Sequence, residues 1–87
     1  MPDAGVGPEA VRAQVAHILG SRLFASSAAL SDLLRFTVEQ TLAGEAGRLK
    51  EYWIGTAVFH RKESFDPAED SIVRVQARKL RKRLELY

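Results

Sequence analysis

The chain contains no cysteine, which excludes disulfides and thiolate metal centres and suits a reducing cytosol. It has no apolar run near the roughly 20 residues that a membrane-spanning helix needs. Its opening, MPDAGVGPEA, lacks the basic start and apolar segment of a secretory signal, so a cytoplasmic location is expected. Histidine is scarce: His17 falls on the polar side of a helical pattern and His60 lies in a basic connection. Neither has the paired spacing of a metal site or a nucleophile motif beside it. The six glycines form neither a dinucleotide fingerprint nor a phosphate loop. No catalytic residue, metal or cofactor is expected, and the chain reads as a non-enzyme.

With 87 residues there is room for one small domain, burying roughly 60 to 65% of its unfolded surface around a modest core. A homodimer would supplement such a core. Residues 1–7 read as a flexible Gly, Pro and Ala tail and residues 8–87 as a single helical domain, without internal repeats.

Helical periodicity dominates what is present. Pro8 and Glu9 suit a first turn, and Val11, Val15, Ile18 and Leu19 then repeat at helical spacing up to a stop at Gly20. Ser26 or Ser27 is placed to cap a second helix whose Leu30, Leu33, Leu34, Thr37, Val38, Thr41 and Leu42 share one broad face, ending near Gly44. A third segment, from about Arg48 to Phe59, is apolar almost throughout, with Trp53, Ile54, Val58 and Phe59 as core candidates. Gly55 inside it costs about 1 kcal/mol relative to alanine, and its start is also compatible with a short strand. In the polar connection that follows, two helix starts are open: Asp66 capping with Pro67 as first helical residue, or Asp70 capping with the helix beginning at Ser71. Capping and dipole complementarity account for the acidic trio Asp66, Glu69 and Asp70 without a metal.

The last segment, SIVRVQARKLRKRL, combines six Lys or Arg and no acid with an apolar repeat. At 100° per residue, Val73, Ala77, Leu80, Leu84 and Tyr87 form one stripe that can dock on a core. Arg74, Arg78, Arg81 and Lys82 share an arc roughly 80° to 180° round from it, so they can be exposed together. Lys79 and Arg83 lie on the opposite flank. The formal net charge is only +2, but it is polarised: residues 1–70 hold seven bases and ten acids, and residues 71–87 hold six bases and one acid. An acidic body with a basic terminal helix is an electrostatic footprint of nucleic-acid binding. The plainer alternative is a solvated, charge-rich face. A membrane surface is a weaker candidate, because the apolar stripe is aliphatic and needed for packing. RNA is weaker still, for want of an aromatic stacking platform.

The order LKEYWIGTAVFHRKESFDPAEDSIVRVQARKLRKRLELY resembles the N-terminal regulatory domain of many bacterial proteins that continue into tetratricopeptide or adenylate-cyclase-like modules. The similarity runs upstream to Val11, and its most specific parts are LKEY, an IG and a VF, FDP, and the D..IVRV.ARKLRK.L stretch. The second half is also similar to the winged helix-turn-helix effector domains of response regulators. This resemblance implies residues 50–59 as positioning helix, residues 70–87 as recognition helix, and further C-terminal domains in a longer protein. It departs from the pattern at Ser71, where proline usually follows the aspartate, and in having no segment for a wing hairpin.

The fold expected is therefore mainly α: a four-helix, helix-turn-helix-type domain with the wing absent or truncated. The expected partner is double-stranded DNA. Arg74 and Arg78 are the candidates for base edges, Arg81, Lys82 and Lys79 for phosphates, and Val75 for a thymine methyl, with Ser71 at the helix entrance completing the set. The competing function class is a protein-interaction or dimerisation module built on the apolar stripe.

Overall fold

A computed structural model describes residues 7–87, so all of the expected tail except Gly7 lies outside the described residues. Among the described residues five α-helices follow one another: α1 (Pro8–Leu19), α2 (Arg22–Ala25), α3 (Ala28–Leu42), α4 (Glu51–Ala57) and α5 (Ile72–Leu86). A single 3-10 turn, Ala46–Arg48, precedes α4, and there is no strand among the described residues. The expected mainly helical domain is what the chain forms, with one helix more than the periodicity announced.

Pro8 opens α1, where its missing N–H is one the helix could not use. Gly20 closes α1, its N–H reaching the Ala16 carbonyl at 3.1 Å. No residue of α1 is fully buried; Val15, Ile18 and Leu19 lean on the core from outside. The extra helix, α2, follows after the Ser21 hydroxyl donates to the Ile18 carbonyl at 2.6 Å. It carries Phe24, the most enclosed side chain of the core at 0% exposure. Four residues are too few to show a helical period, which is why this element was not legible.

Ser27 caps α3, its hydroxyl accepting from the Leu30 N–H at 3.3 Å. Leu30, Leu33 and Leu34 are buried as the pattern predicts, and α3 ends before Gly44, whose φ of +81° suits glycine. Phe36, outside the expected face, is half-buried and meets Trp53 edge-on with centroids 5.1 Å apart. Arg48 stacks over the same indole at 4.6 Å. The third expected segment splits into the 3-10 turn and α4, and its possible strand does not form.

Gly55 in α4 is explained by Phe65, whose ring lies directly on the glycine. A Cβ there would stand 2.3 Å from the Phe65 Cε2. The helix thus accepts a poor helix former so that the long connection, residues 58–71, can fold back over it. Further ties hold the connection: the Tyr52 hydroxyl donates to the Glu63 carbonyl at 3.0 Å, and the Arg61 N–H to the Gly55 carbonyl at 3.0 Å. Between them His60 takes a left-handed conformation, φ 56°. This connection is much longer than the three- or four-residue turn of a compact helix-turn-helix unit.

Of the two possible starts for the last helix, the Asp70 one comes closer but falls one residue early: α5 begins at Ile72, with Ser71 at the N-cap position and no side-chain cap bond from it. Asp70 accepts from the Ile72 N–H at 3.0 Å, while Asp66 accepts from the Ala68 N–H at 3.0 Å in a separate turn. Val73 and Leu80 are buried and Ala77 half-buried, so the stripe docks on α3, α4 and α2 as expected over its first two-thirds. Its end does not: Leu84 and Tyr87 are 38% and 47% exposed. The shared core consists of Phe24, Leu30, Leu33, Leu34, Ile54, Val58, Val73 and Leu80.

Candidate nucleic-acid interface

Two neighbours set how α5 is presented. On one flank, Arg74 donates to Glu51 of α4 at 2.8 Å and to the Pro67 carbonyl at 2.9 Å, tying α5, α4 and the connection together. On the other flank, the half-buried Arg83 donates to the Leu23 carbonyl of α2. Between these anchors the back of α5 faces solvent, exposing Arg78, Lys79 and Lys82, with Arg81 exposed beside them. None of these four makes an ion pair or side-chain hydrogen bond among the described residues, and Glu85, the one acid of the segment, pairs with none of them.

The structure thus brings Arg78, Lys79, Arg81 and Lys82 onto one exposed surface, with Val75 half-buried at its edge and Ser71 exposed at its entrance. Arg74 differs from them in having partners: its guanidinium donates to Glu51 and to the Pro67 carbonyl. The remaining described arginines with partners are Arg12 with Glu39, Arg35 with Asp32, Arg48 with Glu45 and Arg61 with Asp70.

Asp70 connects this surface to the connection below it. The Ile72 backbone N–H, and after it the Arg61 guanidinium, hold its carboxyl below the usual aspartate range. The carboxylate therefore stays charged at the positive end of the α5 dipole. Between α1 and α3, the Arg12 hydrogen bond similarly holds Glu39 low, and Glu39 raises Arg12. Among the described residues, no three His, Cys, Asp or Glu gather as metal ligands, and no helix is long and apolar enough to cross a membrane.

Sequence reasoning passed over Arg22, which is exposed at the start of α2 and makes no side-chain bond among the described residues. No periodic signal marks it; its helix α2 packs against α5, and Arg83 of α5 reaches the carbonyl of Leu23, the next residue in the chain. Comparison of the chain with family models, with curated proteins and with solved structures finds no match in any of the three.

Proposed function

We propose that the chain binds double-stranded DNA in a sequence-specific manner through α5, as the DNA-binding part of a bacterial transcription regulator working in the cytoplasm. The observation that carries this reading is the concentration of unpartnered cations on α5. Arg78, Lys79, Arg81 and Lys82 have no counter-charge among the described residues, whereas most arginines elsewhere do. An exposed helical back of this kind fits the major groove, with arginine forks able to meet phosphate or guanine two acceptors at a time. The resemblance of the chain to N-terminal regulatory and response-regulator effector domains supports the same assignment.

In this reading Arg78 reaches base edges, Val75 lies where a thymine methyl would pack, and Arg81, Lys82 and Lys79 hold phosphates. Arg74 is reassigned from base reader to positioning residue, since using it on DNA means giving up Glu51 and Pro67. Titration into a fluorescent random-sequence duplex, read by anisotropy at several salt concentrations, tests the proposal. A log-log salt slope of roughly −3 to −5 is expected for four to six displaced counterions; no binding at low salt refutes it.

One observation favours a second reading, a helical dimerisation module. Leu84, Leu86 and Tyr87 at the end of α5 are 38%, 62% and 47% exposed. A dimer that persists in high salt by sedimentation, without DNA affinity, would establish that reading instead. The two also coexist in regulators that read paired half-sites.

A further inference from the structure

We infer that the DNA-binding surface extends beyond α5 onto α2, where Arg22, next in the chain to the Leu23 that anchors Arg83, joins Lys79 in gripping a phosphate of the duplex backbone. This rests on the DNA reading of α5 and adds to it a residue and an element.

The argument starts from Arg83. Its guanidinium is half-buried and is held by the Leu23 carbonyl, which orients it but supplies no net negative charge. Lys79 lies one turn earlier on the same flank of α5, and side chains four apart on a helix are neighbours, with Cβ atoms about 5 to 6 Å apart. Arg22 directly precedes Leu23, and consecutive Cα atoms are only about 3.8 Å apart, so its backbone sits beside the residue that holds Arg83. Arg22, Lys79 and Arg83 therefore stand on the two elements that join through the Arg83 bond to the Leu23 carbonyl, and none has a carboxylate partner among the described residues.

Most arginines outside this region are paired within the fold. Arg12, Arg35, Arg48, Arg61 and Arg74 each have a glutamate or aspartate within 3.4 Å. Arg22 and Lys79, exposed and without such a partner among the described residues, are open to an anion from outside. With the back of α5 turned to a groove, its Arg83 flank faces the bordering sugar-phosphate strand. There a phosphodiester can take donors from Arg22 and Lys79 together.

The test compares Arg22→Ala, Arg22→Lys, Lys82→Ala and Arg35→Ala with the unaltered protein, by anisotropy on one duplex across a salt series. Arg35→Ala removes the same charge from α3. Arg22 makes no side-chain bond among the described residues, so its substitution leaves the fold intact, which circular dichroism verifies. Arg22→Ala is expected to weaken binding on the order of fivefold near 0.1 M salt and to flatten the slope by about 0.9, with Arg22→Lys retaining most of both. If Arg22→Ala behaves like Arg35→Ala while Lys82→Ala still flattens the slope, the extension to α2 is wrong and the reading of α5 stands. If the unaltered protein does not bind DNA, both fall.

Discussion

Replacing Gly55 with alanine tests the packing that aims the connection before α5. Two opposed terms act. Alanine in place of a helical glycine is worth about 1 kcal/mol through propensity alone. The added Cβ, however, would stand 2.3, 2.7 and 2.9 Å from the Cε2, Cζ and Cδ2 atoms of Phe65. No real carbon contact is that short, so the ring must leave its place over α4. It would give up its packing against the core and beside Tyr52, whose ring centroid is 6.2 Å away. Overpacking of this kind costs about 1 to 3 kcal/mol. Gly55→Ala should therefore destabilise by about 1 kcal/mol, lowering Tm by about 4 to 8 °C in a domain of this size. In a Phe65→Ala background the ring is gone, and the same substitution should stabilise by about 1 kcal/mol. Opposite signs in the two backgrounds amount to a coupling of about 2 kcal/mol in a double-mutant cycle. Thermal and urea unfolding followed by circular dichroism, with Trp53 fluorescence as a second probe, measure all four corners. Equal stabilisation by Gly55→Ala in both backgrounds would refute the reasoning.

Phe24→Ala empties the best-enclosed site of the core and should cost about 3 to 5 kcal/mol. That approaches the whole stability of a small domain, so circular dichroism should show a large unfolded fraction at 25 °C. Arg74→Ala removes the tie between α5, Glu51 and Pro67 and should lower stability by up to about 1 kcal/mol. It should weaken DNA binding for all sequences alike, whereas Arg78→Ala should relax sequence preference; competition between duplexes separates the two. Because the Asp70 carboxyl is held below its ordinary value, its contribution is fully present above the ordinary aspartate range near pH 4 and is lost as pH falls through the lowered value. Urea midpoints between pH 7 and pH 2.5 should fall more steeply for the unaltered chain than for Asp70→Asn, which keeps a helix cap but no charge for Arg61.

The helices long enough to repeat were legible in the sequence. Twelve to fifteen residues of α1, α3 and α5 carry their apolar positions at helical spacing; Pro8 marks an end through its missing N–H, and Gly20, Ser27 and Asp70 lie at ends where local hydrogen bonds form. The same periodicity placed Arg78, Arg81 and Lys82 away from Val73 and Leu80 without reference to any other element, because side-chain direction on a helix follows from the backbone alone.

What periodicity does not contain is the identity of a neighbour. Phe24 is central only because α2 turns it under α3, and Gly55 is glycine because Phe65, ten residues later, lies on it. Arg74 and Arg78 look equivalent along α5 and both are exposed, yet Glu51 and Pro67 pair with one and leave the other unpaired. Arg22 gains significance only through the Leu23 carbonyl that Arg83 reaches across 60 positions of chain. The sequence by itself determined the helical class, the polarity of charge and the amphipathic arc of the last helix, since these arise from spacing within one element. The tertiary structure decided which cations are paired within the fold and which are left unpaired at its surface, because that depends on contacts between elements.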